Sequence, residues 1–162
     1  MRALLTLLFS VAVCQATPTF TVTFSPSTVS GPPGSVLGFT GTLLNNTAST
    51  VFINNDSFTL AGGIPLDDSP FFGNAPFSLG PNASSGPFLF FNVTIPALQA
   101  PNDYAGTFDV IGGADGNAQD NLGEGVFTVT VSSVPEPAPG LLVAAGLGAF
   151  LLLRRRLLWR AR

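Results

Sequence analysis

The central part of the chain alternates between apolar and polar positions. In TFTVTF (Thr19 to Phe24), Phe20, Val22 and Phe24 fall on one side and threonines on the other, and VFTVTV (Val126 to Val131) repeats this with Phe127, Val129 and Val131. A period of two sends successive side chains to opposite faces of an extended backbone, so both stretches are predicted to be half-buried strands. Between them lie SVLGFTGTLLN (Ser35 to Asn45), STVFINNDSFTL (Ser49 to Leu60), PFLFFNVTI (Pro87 to Ile95) and DYAGTFDVI (Asp103 to Ile111), each bounded by Gly, Pro, Asn or Ser. β-Branched and aromatic residues dominate these runs, and Gly or Pro interrupts anything longer. Helix is therefore disfavoured in the middle of the chain and expected only at the termini.

Six or seven short strands with such punctuation predict an all-β, immunoglobulin-like β-sandwich over residues 17–133. Tyr104 stands two positions before the Gly106-Thr107-Phe108 run, where such sandwiches often carry a tyrosine that ties a strand to the preceding loop.

Two stretches resist the strand pattern. Ala61 to Pro87 contains five prolines (Pro65, Pro70, Pro76, Pro81, Pro87) and the aromatics Phe71, Phe72 and Phe77. A connection this long implies a function or a short hidden strand. Its phenylalanines either fold back onto the sandwich or form an apolar surface for a partner. The second stretch, Gly112 to Gly125, concentrates Asp115, Asn117, Gln119, Asp120, Asn121 and Glu124, which are oxygen donors of the kind Ca²⁺ takes. It fails the EF-hand spacing: with Asp115 as first ligand, the required Gly falls at Asp120 and the twelfth-position Glu at Val126. A hairpin loop of residues that tolerate positive φ is expected instead, with no metal and no cofactor.

Charge sharpens the picture. All six basic residues, Arg2, Arg154, Arg155, Arg156, Arg160 and Arg162, lie in the terminal segments, and from Thr17 to Leu153 there is no Lys, Arg or His. All nine acids fall within that span, which should repel phosphate backbones and exclude nucleic acid as a partner. With neither His nor Lys, the usual general bases and nucleophilic triads are missing, so no enzyme is expected. Paired carboxylates such as Asp67 and Asp68 can serve glycoside hydrolysis, but adjacent acids in a loop are first of all a solvated turn. Asn45-Asn46-Thr47, Asn55-Asp56-Ser57, Asn82-Ala83-Ser84 and Asn92-Val93-Thr94 are glycosylation sequons, in a composition that generates several by chance.

The N-terminal MRALLTLLFSVAVCQATPTF has a basic head at Arg2, an apolar run from Ala3 to Cys14 and small residues at Cys14 and Ala16. This is the pattern of a secretory signal peptide over residues 1–16, cleaved after Ala16. An uncleaved anchor is the alternative, but twelve residues span only about 18 Å as helix. Lipid modification at Cys14 is a further alternative, for which β-branched Val13 is a poor preceding residue. Cleavage after Ala16 leaves no cysteine, hence no disulfide and no thiolate metal site.

At the other end, Ala138 to Leu153 is sixteen residues without a charge, about 24 Å of helix against a hydrocarbon core near 30 Å. Arg154, Arg155 and Arg156 act as a basic stop, with Arg154 free to snorkel, and the arginines hold this end in the cytoplasm. A single transmembrane helix over residues 138–153 with the sandwich outside is expected. Before it stands VPEP: Pro135 and Pro137 favour extended backbone at Val134 and Glu136, so the segment should be open to a processing enzyme. The series Val134, Pro135, Glu136, Pro137, then an apolar helix, then an arginine cluster resembles the PEP-CTERM sorting signal of bacteria that make exopolysaccharide. The resemblance covers residues 134–162 and implies recognition by exosortase, a membrane-embedded cysteine peptidase, with release or transfer of the cargo to the cell surface or matrix. It implies nothing for residues 17–133, because this signal is attached to many unrelated cargo domains. Low charge, abundant Thr, Ser and Asn, and Gly-rich turns suit a structural or adhesive component of the biofilm matrix, with exopolysaccharide or matrix proteins as partners. The alternative is a carbohydrate-binding or other surface module on an ordinary single-pass anchor, although only Tyr104, and no Trp, stands between the terminal segments as a sugar platform.

Overall fold

The computed structural model describes residues 19–133, together with Val143 and Leu147, which are helical. The signal peptide, the VPEP motif and the arginine stop lie outside the described residues. So does the expected transmembrane segment, those two positions apart. Among the described residues no helix is long and apolar enough to cross a membrane.

The described part is all-β. Strands β1 (Phe20–Phe24), β3 (Val36–Asn45), β7 (Phe88–Thr94) and β5 (Leu66–Asp67) form one sheet in the order β1-β3-β7-β5. A second sheet runs β2-β9-β8-β4-β6, built from β2 (Thr28–Gly31), β9 (Asp120–Val131), β8 (Asn102–Gly113), β4 (Val51–Leu60) and β6 (Ser78–Leu79). Neighbours are antiparallel except β2, which lies parallel to β9 with Thr28 opposite Thr128. All six strands expected from the alternation are present. β5 and β6 are short hidden strands of the kind the length of the Ala61 to Pro87 connection implied, whereas β2 was not anticipated, since four residues cannot display a period.

Alternation becomes a core because the inward residues of both sheets meet. Phe24, Phe39 and Phe91 come from the first sheet, Phe108 and Phe127 from the second, and all five are at most 5% exposed. Phe91 stacks on Phe39 at 4.9 Å and on Phe108 at 5.2 Å, and its centroid is 4.7 Å from that of Phe127. Phe90 and Phe91 are both fully buried although adjacent. The pairing explains this: Phe39 opposes Phe91 while Thr40 opposes Leu89, so Phe90 is the extra residue of a β-bulge. It turns toward Phe88, Phe24 and the crossover.

The segment from Ala61 to Pro87 corrects the expectation of helices at the termini alone. It holds a 3₁₀ turn (Ala61–Gly63), the strands β5 and β6, and between them a helix α1 (Ser69–Asn74). Pro70 in the first turn needs no N–H partner there, and the N–H and hydroxyl of Ser69 both donate to Asp67 Oδ1 at 3.1 and 2.6 Å. Six residues are too few to show a helical period, so tertiary packing sustains α1. Phe71 supplies it: 1% exposed, it lies against Phe88, Phe90 and Phe108 and closes the flank between the sheets.

Tyr104 fulfils its expected role. Its hydroxyl donates to the Ala100 carbonyl at 2.9 Å, tying β8 to the loop before it. The ring leaves no space for a side chain at position 62, where Gly62 adopts a φ of 77°.

Candidate functional site at the crossover

β4 begins with Val51 and Ile53 inward, and strict alternation would carry Asn55 and Ser57 to the same face. The register is broken between Ile53 and Asn55, which pair with Gly112 and Ile111, leaving Asn54 as the bulged residue. Beyond it Asp56 opposes Val110 and Phe58 opposes Phe108. Cross-strand partners share a face, and Val110 and Phe108 are wholly buried, so the bulge aims the Asp56 carboxylate at the core face.

Asp56 is 9% exposed, and neither carboxylate oxygen has a hydrogen-bond partner. Burial, with the Asp68 charge adding to it, raises its pKa from 3.8 to about 6. A domain without His or Lys thus carries a carboxyl group whose pKa is raised toward neutrality. Nothing local marks Asp56, because its burial follows from a bulge and from the crossover packed over that edge. The Asp67 and Asp68 pair divides: Asp67 is exposed and held below the usual carboxylate range by the Ser69 hydroxyl and N–H, while Asp68 occupies the N-cap of α1 without capping it through its side chain.

Beside this edge lies a groove of about 410 Å³, lined by Ile53, Asn54, Phe71, Phe72, Phe77 and Gly116 among others. The crossover aromatics thus part company. Phe71 folds inward, whereas Phe72 is 55% and Phe77 71% exposed, the latter edge-to-face with Phe52 at 5.6 Å.

The acidic loop is shorter than expected, because β8 runs to Gly113 and β9 starts at Asp120. Part of its donor set is already engaged. Asp115 Oδ1 accepts from the N–H groups of Asn117 and Ala118, and Asn54 Nδ2 donates to the carbonyls of Asp115 and Ala118. Asn121 donates to Asp109 Oδ1 across the outer face of the sheet. Among the described residues no three His, Cys, Asp or Glu side chains converge as a metal site. Calcium is expected to leave the melting temperature of fragment 17–133 unchanged within about a degree. A site filled at 100 times its dissociation constant would add about 2.7 kcal/mol, so a chelator that lowered the melting temperature by several degrees would contradict this expectation.

Of the sequon asparagines, Asn45 is wholly buried, which leaves its amide nitrogen inaccessible to a glycan. Asn55 and Asn82 are exposed. The outer face of the second sheet carries Thr59 against Thr107 (2.9 Å) and Thr130 donating to Asp103 (2.7 Å), a polar surface without a cation.

No family model matches the chain, and no curated protein does. Among solved structures the chain is similar to WR4, an MSP family member from C. elegans (10% identity, TM-score 0.40, covering 72% of this chain and all of that one). It is also similar to the GAE domain of GGA2p from Saccharomyces cerevisiae (17%, 0.37, covering 74% and 94%). A family 123 glycoside hydrolase from Clostridium perfringens matches at 15% identity and TM-score 0.38 over 70% of this chain but 24% of its own length. Likeness at this level transfers neither activity nor partner.

Proposed function

We propose that this chain is an exported bacterial cargo protein, sorted through residues 134–162 by an exosortase-type membrane peptidase, whose immunoglobulin-like ectodomain is a structural or adhesive component of the exopolysaccharide matrix. The observation that carries the reading is the order of parts at the C-terminus: Val134-Pro135-Glu136-Pro137, sixteen uncharged residues, then arginines, with a signal-peptide pattern at the other end. The last strand ends at Val131, so the motif follows the domain after only Ser132 and Ser133. A cargo with its own core can be released there without loss of fold.

The immunoglobulin-like part is supported by three features: two sheets around one core, a first strand that passes from the β3 edge of one sheet (β1) to run parallel with β9 in the other (β2), and the Tyr104 hydrogen bond to Ala100. A matrix rather than enzymatic role is supported by the lack of Lys, Arg and His between Thr17 and Leu153 and by the hydroxyl- and amide-rich outer face.

Glu136→Ala is expected to slow processing roughly tenfold to a hundredfold. A carboxylate presented between two prolines has little conformational freedom and can meet a cationic group as a charge-assisted pair, commonly worth about 1.5–3 kcal/mol. Insertion, driven by residues 138–153 and oriented by the arginines, should not respond. The measurement is the ratio of full-length to tail-cleaved protein in a host carrying an exosortase-type peptidase, with a substitution at Ala138 as control. Cleavage of both variants at the parental rate would reduce VPEP to a stalk on an ordinary anchor.

A further inference from the structure

The groups around Asp56 give its charge no answer. On its own face of β8 stand Val110, Phe108 and Gly112, none titratable. The acids of β8 point outward, where Asp109 accepts from Ser57 and Asn121 and Asp103 from Thr130. β6 contributes Ser78 and Leu79. The crossover contributes two more acids, Asp67, which is occupied by Ser69, and Asp68, whose charge opposes ionisation of Asp56. The nearest cations in sequence lie at Arg2 and Arg154, outside the domain. A buried ion without counter-charge or hydrogen bond is strongly unfavourable. Asp56 must therefore hold a proton or leave its place, and the crossover beside it is held by β5 on β7, by β6 on the first residues of β4 and by the buried Phe71 and Leu79.

We infer that Asp56 is a proton-dependent clasp: neutral, it lets the crossover seat between β7, where β5 pairs, and β4, where β6 pairs, and ionised, it draws water into that edge and loosens residues 66–79, opening the groove beneath Phe72 and Phe77. The inference stands apart from the sorting reading. Asp56 has a pKa of about 6 in the closed form against 3.8 for the free side chain. A group whose pKa is raised by closure stabilises the closed form fully below the lower value, and that stabilisation is lost as pH rises through the higher one. Between about pH 5 and pH 7.5 the closed form should lose roughly tenfold in population relative to the open one.

The test is hydrogen exchange of the full chain in detergent at about pH 5 and pH 7.5, corrected for intrinsic exchange and read peptide by peptide. Protection over residues 66–79 is expected to fall about tenfold, while β8 keeps its protection. Asp56→Asn, which keeps the shape of the neutral acid, should hold the crossover equally protected at both pH values, and Asp68→Asn should reduce the loss by removing the opposing charge. Equal protection of the parent at both pH values, or a loss that persists in Asp56→Asn, would overturn the clasp. Should Asp56→Asn fail to fold, the ¹³C titration of the parental carboxyl decides. A midpoint near 6 with parallel shifts of the amides of residues 66–79 supports the clasp, and an ordinary carboxylate midpoint refutes it.

Discussion

Replacing Phe91 by Ala is expected to destabilise the domain by about 3–5 kcal/mol, a large share of the roughly 5–15 kcal/mol that holds a domain of this size. Phe91 is fully buried on β7 and touches aromatic rings from both sheets: Phe39 and Phe108 stack on it, Phe127 tilts against it, and Phe24 meets it edge-on at 5.4 Å. Truncation removes the ring's burial and its stacking, and leaves a cavity that the surrounding rings cannot fill without leaving their own partners. With no disulfide available to the domain, nothing covalent limits the loss. Urea unfolding of fragment 17–133, followed by circular dichroism, should show a much lower midpoint at an unchanged slope. Phe77→Ala is the control: 71% exposed, it should cost no more than about 0.5 kcal/mol. Equal losses for the two variants would mean that the two-sheet core does not dominate stability.

Asn45→Ala is expected to cost about 2–4 kcal/mol for a different reason. The Asn45 amide nitrogen donates to the carbonyls of Ser49, Leu79 and Gly80 at 2.8, 3.0 and 2.9 Å, one of its two hydrogens being shared. Its oxygen accepts from the N–H and the hydroxyl of Thr47 at 2.9 and 2.8 Å. One wholly buried side chain thus closes the β3–β4 turn and joins it to the end of β6. Alanine would strand these groups, and the Leu79 carbonyl has no water to turn to. Asn45→Asp should be worse near neutrality, because a carboxylate cannot donate to three carbonyls and would bury a charge. Thermal melts followed by circular dichroism check both variants. A melting temperature within about a degree of the parent for Asn45→Ala would show that the turn is held elsewhere.

The two residues illustrate different degrees of legibility. Phe91 sits in a run, PFLFFNVTI, whose strand character is plain from composition. That both of its adjacent phenylalanines are buried against Phe108 is not, because that depends on the bulge at Phe90 opposite Phe39 and Thr40. Asn45 presents itself as the first residue of a glycosylation sequon, one of several in an Asn-rich chain. Its work as a buried donor needs the Leu79 and Gly80 carbonyls, more than thirty positions away. The same holds for Asp56. In the sequence it is an acid inside STVFINNDSFTL, and only the bulged Asn54 and the covering crossover turn it into a buried, unpartnered carboxylate.

The six long strands and the solvent-facing threonines could be read without a structure, since period two is imposed by the backbone of each strand alone. So could the absence of the usual catalytic bases and the VPEP-apolar-arginine order, which is a linear motif and requires no fold to be recognised. Folding decided the rest: the parallel seat of β2 on β9, the six-residue helix within the proline-rich crossover, the burial of Phe71 but not of Phe72 or Phe77, and the inward turn of Asp56. Each depends on pairing or packing between segments far apart in sequence. A register shift of one residue reverses which face a side chain occupies, and that shift is set by the partner strand rather than by the residues that undergo it.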